Sequence, residues 1–138
     1  MPSRLRNSND GAAAVEFALL APLFVMLLLS FIATGIYLST AYSIQQIAAD
    51  AARTAIAGIT AEERQRLASG FVDSTALRYP FITKKYLVIS AMDDPGDPNQ
   101  FVVSLSYDAS ELPIWNLYSF ALPGSHIQRH ATIRIGGL

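Results

Sequence analysis

Glu16 is the residue whose type and position most need a chemical explanation, because it places a carboxylate inside an apolar run. Residues 11–24 read GAAAVEFALLAPLF, and no charged residue follows Glu16 until Asp50. An acidic side chain at the centre of a membrane-spanning helix costs on the order of 2.5 to 3.5 kcal/mol on insertion scales. If this run enters lipid, we therefore expect Glu16 to lie at a membrane interface or to pair with a cation.

The remaining polar residues offer little chemistry for catalysis. The chain has no cysteine, which excludes disulfides, thiolate metal sites and cysteine nucleophiles. It contains neither a glycine-rich phosphate loop nor a G-x-S-x-G motif. His126 and His130 share one face of a predicted strand, but about 13 Å apart at ~3.3 Å per residue, too far for one zinc ion. We therefore predict no catalytic residue, no bound metal and no cofactor.

One loop is rich in oxygen ligands, and it leaves calcium binding open. Asp93, Asp94, Asp97 and Asn99 cluster there, but calcium takes roughly six to eight oxygens. Their spacing does not fit the EF-hand pattern. We therefore prefer a turn rich in aspartate and proline, with a calcium site as the alternative.

Apolar residues are concentrated near the N-terminus. The chain has 138 residues, which predicts one domain, and 51% of them are hydrophobic. The net charge of −1 gives no general electrostatic basis for binding nucleic acid. The run from Phe17 to Leu38 carries no charge and is long enough to cross a bilayer, which takes about 20 apolar residues.

We interpret residues 17–38 as a membrane-spanning helix rather than a secretory signal peptide. A signal peptide has an apolar core of roughly 7 to 15 residues and then a cleavage site, whereas this run is longer and continues as an amphipathic helix. Arg4 and Arg6 precede the span, and the next basic residue, Arg53, is distant. The positive-inside rule then predicts a cytoplasmic N-terminus. Pro22 removes a backbone donor inside the span, so we predict a helix kink, either harmless or functional.

The string GAAAVEFALLAPL at residues 11–23 closely resembles the start of TadE-like proteins. These are minor pilins or pseudopilins of the tight-adherence (Flp-type) pilus and secretion machinery, within the type IV pilin superfamily. In that superfamily a short basic leader ends in glycine, and a prepilin peptidase cuts after it. The resemblance implies a leader at residues 1–11, a cut between Gly11 and Ala12, and Glu16 as the fifth residue of the mature chain.

The same resemblance implies a role for Glu16. Cleavage would create an ammonium at Ala12, four residues before the carboxylate and on the same helix face. In an assembled fibre the ammonium of one subunit would instead meet Glu16 of its neighbour, and pairing offsets the cost of a carboxylate in a low-dielectric bundle. Glu16 would then set the register between subunits. The alternative is an interfacial glutamate that only reaches toward lipid headgroups.

The sequence predicts that the helix extends beyond the membrane. Residues 39–57 keep helical spacing, and Gly58 provides a stop. An apolar stripe recurs at steps of three and four: Ile44, Ile47, Ala48, Ala51 and Ala55. The predicted organisation is a leader at 1–11, a long helix at 12–58 and an extracytoplasmic α+β domain at 59–138.

A second helix is predicted near residues 61–77. Thr60 and Glu63 form a capping box at its start, and the residue before Pro80 disfavours helical geometry. The mixed charges of the segment EERQR, residues 62–66, predict a face turned to solvent. The residues predicted to face inward are Leu67, Phe71 and Leu77.

From Lys84 onward the pattern becomes that of strands. KKYLVISAM and QFVVSLSYD predict a hairpin around the turn sequence DDPGDPN, and HIQRHATIRI predicts a third strand. Between them, ELPIWNLYSFALPG predicts a short helix or an irregular loop. Its aromatic residues Trp115, Tyr118 and Phe120 either complete the core or form an exposed contact patch. The predicted fold class is thus α+β, pilin-like, with a long N-terminal helix, a short helix and a small antiparallel sheet.

The leading hypothesis is a minor pilin or pseudopilin, a structural subunit of a Tad (Flp-type) pilus or secretion apparatus. The implied partners are prepilin peptidase, other pilin or pseudopilin subunits, inner-membrane platform proteins and the lipid bilayer, without nucleic acid. The implied location is the bacterial inner membrane, single-pass with a periplasmic domain, and the extracellular filament after processing. Adhesion and biofilm formation would be roles of the whole machine, and the protein would be a peptidase substrate rather than an enzyme.

Two rival hypotheses remain. The first is an uncleaved bitopic anchor whose outer domain binds a partner, and it differs from the pilin hypothesis at Gly11. The second is a membrane-tethered hydrolase, which requires acid and base groups converging in a cleft.

Overall fold

The computed structural model describes residues 9–117 and 122–135 of the chain. The elements follow the order α1 (Asn9–Ala55), α2 (Ala61–Thr75), β1 (Leu87–Asp94), β2 (Asp97–Asp108), α3 (Ile114–Leu117) and β3 (His126–Arg134). Two short 3-10 helices, Ala76–Arg78 and Lys84–Tyr86, lie between α2 and β1. The three strands form one antiparallel sheet in the order β1-β2-β3, so the predicted α+β class is confirmed.

The long helix α1 has two halves with different surroundings. It contains 47 residues and is about 70 Å long at 1.5 Å per residue. Residues 11–32, which we call the bare half, are exposed on nearly every face, whereas residues 33–55, the covered half, bury one face against the domain. The predicted apolar stripe is confirmed, since all five of its members are fully buried: Ile44, Ile47, Ala48, Ala51 and Ala55.

The connection after α1 turns sharply around Gly58. The helix ends at Ala55, and the Gly58 amide donates to the Ala55 carbonyl at 2.9 Å. A Cβ on Gly58 would lie 2.6 Å from the backbone nitrogen of Arg64, closer than real Cβ atoms approach. Only glycine therefore lets the start of α2 pack this closely on the connection.

The start of α2 is fixed by side-chain caps. The Glu63 amide donates to Thr60 Oγ1 at 3.2 Å, as the capping box predicts. The Glu63 carboxylate accepts from the amide of Ile59 at 2.9 Å, which is one residue earlier than in the usual box. The helix then runs through Gly70 to Thr75, and a 3-10 turn rather than the predicted α-helix covers Ala76–Arg78.

The inward face of α2 differs from the prediction. Leu67 is 37% exposed, so its predicted inward position is wrong. The buried residues of the helix are Arg64, Ala68 and Val72. Phe71 is half-buried and packs against the core, as predicted, while the side chain of Leu77 lies outside the described part of the structure. The buried face of α2 is therefore rotated relative to the predicted one, because the guanidinium of Arg64, and not a leucine side chain, packs against the sheet.

The sheet begins later than predicted. Lys84–Tyr86 forms a 3-10 turn, and the first strand starts at Leu87 rather than Lys84. The predicted hairpin is confirmed, with Asp94 opposite Asp97 across the Pro95-Gly96 turn. The predicted third strand is confirmed as β3, which pairs with β2 antiparallel.

Alternate residues of the sheet pack against α1. In β2 the buried members are Phe101, Val103, Leu105 and Tyr107. Ile127 of β3 is also buried, and Ile133 is half-buried against the same core. The opposite face of the sheet carries mostly serine, threonine, glutamine and histidine side chains that are exposed or half-buried, and Val88 and Met92 of β1 are exposed there as well. The core is therefore a single layer between the sheet, α2 and the covered half of α1.

Contacts along the chain define the two ends of the domain. Arg64 in the first turn of α2 pairs with Asp93 at the end of β1, so both lie beside the C-terminal end of α1. The Gln45 side chain, midway along the covered half, donates to the carbonyl of His130, midway along β3, at 3.1 Å.

It follows that α2 and β2 run back toward the bare half of α1. The end of α2, the start of β1 and the end of β2 therefore lie at the end of the domain nearest Ala33. We call this end the base, and it comprises residues 76–86 and 109–117.

Candidate assembly site on the bare half of the long helix

The residues that the sequence singled out at the N-terminus lie together in the first turns of α1. Gly11, Ala12 and Glu16 are all helical and all exposed. Ala12 and Glu16 are one helical turn apart and on the same face. An ammonium at Ala12 would therefore be within reach of the Glu16 carboxylate in its own chain, and the exposed carboxylate is equally accessible to a neighbouring chain.

Within the described residues, Glu16 forms no ion pair and no hydrogen bond with another side chain. The covered half and the domain begin at Ala33, about 25 Å along the helix axis from Glu16. The described part of the folded domain therefore offers this carboxylate no cation.

Pro22 lies in the bare half without ending the helix. Helix α1 is continuous through Pro22, and the proline is exposed. A proline has no amide hydrogen, so the carbonyl of Ala18, four residues earlier, lacks its usual helical donor. A functional kink at Pro22, one of the two alternatives drawn from the sequence, stays a prediction.

The rest of the bare half is an apolar surface. Its exposed large side chains are Val15, Phe17, Leu19, Leu20, Leu23, Phe24, Val25, Met26, Leu27, Leu28, Phe31 and Ile32. Among the described residues one helix is long and apolar enough to cross a membrane, and only 6% of its most apolar window is buried. A surface of this size is not stable in water, so it requires lipid or protein to cover it.

The aspartate-rich loop uses its carboxylates within the turn. Asp94 Oδ1 accepts from the Gly96 amide at 2.8 Å. Asp97 accepts from the Asn99 amide at 3.0 Å and from the Gln100 side chain at 2.8 Å, and these bonds hold the pKa of Asp97 below its ordinary value. Asp93 turns away to Arg64. The described residues contain no group of three or more acidic or histidine side chains placed to share a metal ion.

The two histidines share one face of β3, as the strand pattern predicted, and the structure shows that it is the outer face of the sheet. His126 is opposite Asp108 and His130 is opposite Ser104 in the neighbouring strand, and both histidines are exposed. A serine beside a histidine is the minimum for nucleophilic catalysis, which also needs the histidine oriented by a third group. No hydrogen bond joins these two side chains within the described residues. These residues therefore do not provide the converging acid and base groups that the hydrolase hypothesis requires.

One structural pair escaped the sequence reasoning. The segment EERQR was expected to face solvent, but Arg64 is only 6% exposed. Its guanidinium donates to both oxygens of Asp93, at 3.0 and 3.3 Å, and to the carbonyl of Ile59 at 3.1 Å. It also lies 5.6 Å from the ring centroid of Phe101, within cation–π range. Nothing local in the sequence marks this arginine, because Asp93 is 29 residues away.

A second missed feature is the backbone at Phe81. Its φ of 65° is a left-handed conformation that bulky residues rarely adopt and that costs on the order of 1–3 kcal/mol. The hydroxyl of buried Tyr107 donates to the Phe81 carbonyl at 2.9 Å and accepts from the Thr83 amide at 3.3 Å. This clamp holds the turn and leaves the Phe81 side chain 47% exposed.

The aromatic segment after β2 forms the short helix α3. Trp115 is half-buried against the core, and its indole nitrogen donates to the Ala109 carbonyl at 2.6 Å. This supports the core alternative for Trp115, while Tyr118 and Phe120 lie outside the described residues.

Comparison with known proteins supports the resemblance over the long helix. Residues 11–53 match the family model of TadE-like proteins, which is about a third of the chain. No curated protein and no solved structure shows significant similarity to the chain. The matched segment contains Gly11, Glu16 and Pro22 together with most of the covered half, and it stops before α2 and the sheet.

Proposed function

Residues 11–53 form a TadE-like segment, and from this premise we propose that the protein is a minor pilin or pseudopilin of a Tad (Flp-type) pilus or secretion apparatus. Association with the Tad pilus is what the family itself suggests. The subunit role depends on one observation beyond the match: the bare half of α1 exposes an apolar surface that carries a single carboxylate, Glu16.

The bare half suits two successive environments. At about 33 Å it matches a hydrocarbon layer of ~30 Å, so lipid covers it before assembly. This span lies about six residues nearer the N-terminus than the predicted residues 17–38, because the domain already buries Ala33 and Tyr37. In a filament the same surface is covered by the helices of neighbouring subunits. Residues 11–32 are exposed nearly all round, as a helix that must be covered from every side requires.

Processing after Gly11 would complete the site. Prepilin peptidase removes residues 1–11, and the new ammonium at Ala12 provides the cation that the folded domain does not offer to Glu16. A carboxylate in a low-dielectric bundle is costly unless paired, so subunits that bring the two charges together are favoured over misaligned ones. Glu16 therefore sets register more than it adds stability.

The remaining partners follow from this role. Arg4 and Arg6 favour a cytoplasmic N-terminus, which puts the domain on the periplasmic side of the inner membrane. Extraction into a filament requires inner-membrane platform proteins and a cytoplasmic ATPase of the same system. The filament would then provide adhesion, biofilm formation or secretion.

The test removes the Glu16 carboxylate and scores two steps separately. We expect Glu16→Ala to insert into the membrane normally, because removing a charge from an apolar run does not hinder insertion, but to abolish assembly into filaments. Membrane fractionation reports the first step, and recovery of the subunit in sheared filaments reports the second. Glu62→Ala is the matched control, since it removes an exposed carboxylate from α2. Assembly of Glu16→Ala at the level of the control would refute the pairing role.

The rival hypothesis of an uncleaved bitopic anchor is decided by intact mass. We expect the chain isolated from cells with the peptidase to begin at Ala12, and the chain from cells without it to retain residues 1–11. A chain that begins at Met1 in both strains would exclude the pilin role and favour the anchor.

A further inference from the structure

The base of the domain combines exposed apolar and basic side chains. Phe81 is 47% exposed and Leu117 is 41% exposed. Lys84 and Lys85, the only lysines of the chain, lie in the 3-10 turn beside Phe81, and both are exposed. Aromatic and aliphatic side chains next to lysines are the combination that proteins use at the boundary between lipid headgroups and acyl chains.

The fold holds this surface next to the bare half of α1. The domain packs on α1 from Ala33 onward with no linker between the two halves, because the helix is continuous. If the bare half spans the bilayer, which rests on the proposed function, its length of about 33 Å leaves the base at the membrane surface.

We infer that the base docks on the surface of a bilayer that contains anionic phospholipid. Phe81 and Leu117 enter the boundary of the acyl chains, and the ammonium groups of Lys84 and Lys85 meet the headgroup phosphates. The docked subunit has a fixed orientation on the membrane before it enters a filament.

The backbone at Phe81 supports this assignment. A phenylalanine at φ 65° is strained, and buried Tyr107 uses its hydroxyl to hold both sides of the turn. Strain of this kind persists only where surrounding structure enforces it, and it is concentrated at functional positions. Here the enforced conformation projects an aromatic side chain away from the core, where lipid can cover it.

The charges of the base also fit an anionic surface. Residues 76–86 carry three cations, Arg78, Lys84 and Lys85, and no carboxylate, while residues 109–117 add one carboxylate, Glu111. Of the two flanking acids, Asp108 accepts a hydrogen bond from the Ser110 amide and keeps its negative charge.

The other flanking acid, Asp73, pairs with Lys84 at 2.9 Å. Both of its members are more than half exposed, so the pair is weak and opens readily to phosphate. The ammonium of Lys85 lies 5.2 Å from the ring centroid of Tyr86, which leaves its charge available.

The experiment uses Trp115, the only tryptophan of the chain, which lies in the base. The full chain is reconstituted in phosphatidylcholine vesicles with and without phosphatidylglycerol, and a fraction of the lipid carries bromine near the headgroup end of its acyl chains. We expect the brominated lipid to quench Trp115 more strongly when phosphatidylglycerol is present. Raising the salt to about 1 M, where the Debye length is ~3 Å, is expected to remove that difference.

Substitutions identify the side chains responsible. Lys84→Gln with Lys85→Gln is expected to lower the ratio of docked to undocked domain about five-fold per lysine, and Phe81→Ser to lower quenching in both lipids. The matched control is Arg66→Gln with Arg134→Gln, which removes two exposed cations from the opposite end of the domain. Equal effects of the two double variants, or quenching that appears only when subunits assemble, would overturn the proposal in favour of a contact between subunits.

Carbonate extraction of the same vesicles separates this proposal from the proposed function. A chain that resists extraction but shows no lipid quenching refutes docking and leaves the membrane-spanning subunit standing. A chain that is extracted refutes the span, and with it the placement of the base at the membrane surface from which docking is argued.

Discussion

The two halves of α1 belong to one uninterrupted helix but differ in how their apolar side chains are arranged. In the covered half the buried residues are mostly alanine, confined to one face: Ala33, Tyr37, Thr40, Ala41, Ile44, Ile47, Ala48, Ala51, Ala52 and Ala55. In the bare half the side chains are mostly leucine, phenylalanine, methionine and valine, and they are exposed on all faces. Side-chain size and distribution, rather than hydrophobicity alone, separate the two environments.

This difference has a physical basis. Small residues on one face let the sheet and α2 approach the helix closely, so a modest domain gains a dense core from one long helix. Large apolar residues on all faces cannot all be buried by a partner on one side. They are buried only where lipid or several neighbouring helices surround the helix. The domain is therefore built on the half of the helix whose small residues lie on one face.

The difference between the two halves of α1 is tested most strongly by truncating one large aliphatic side chain in each half. Ile47→Ala, at a fully buried position of the covered half, is expected to lower the free energy of unfolding of the domain by about 2–5 kcal/mol. Leu27→Ala, at a position of the bare half that is 49% exposed, is expected to leave it unchanged. Denaturant unfolding of the full chain in detergent, followed by Trp115 fluorescence, measures both. A comparable loss in Leu27→Ala would show that the two halves are not independent.

The sequence predicted the covered half well because its information is local. Steps of three and four residues gave all five members of the stripe, and Thr60 and Glu63 gave the start of α2. Alternation and turn residues likewise gave the three strands and the hairpin, with an error of three residues at the start of β1.

The errors arose where contacts join distant residues. The inward face of α2 was misassigned because Arg64 is buried through Asp93 and Phe101, which follow it by about thirty residues or more. The base was not predicted at all, since only the topology brings Phe81 and Leu117 to the same end of the domain. For Gly11, Ala12 and Glu16, the structure gives position and exposure, and their roles in cleavage and pairing stay predictions.

A smaller effect is expected where the covered half connects to α2. Gly58→Ala places a Cβ 2.6 Å from the backbone of Arg64, so we expect a loss of about 1–3 kcal/mol in the free energy of unfolding. Gly70→Ala is the matched variant, because no atom lies within 4 Å of its added Cβ in the middle of α2. It is expected to stabilise the domain by roughly 0.5–1 kcal/mol through helix propensity. The same denaturation measures both, and a change of the same sign in the two variants would contradict the close approach at Gly58.

The smallest effect concerns the pH dependence of the far end of the domain. The backbone amides of Ile59, first, and of Thr60, second, donate toward the Glu63 carboxylate and lower the pKa of that carboxyl below its ordinary value of 4.5. Because the folded pKa is depressed, the cap contributes stability above about pH 4.5 and loses it as the pH falls through the lower folded value.

The unfolding midpoint of Glu63→Gln is therefore expected to be lower than that of the wild type at pH 7, and the two midpoints are expected to converge in acid. Glu62→Gln removes an exposed carboxylate from the same turn without removing the cap, so at pH 7 it is expected to lower the midpoint less than Glu63→Gln does. If the midpoints of Glu63→Gln and the wild type differed by the same amount at every pH, the acid sensitivity would have to come from carboxylates elsewhere in the domain, and the cap would contribute no measurable part of the stability that α2 gives to the covered half.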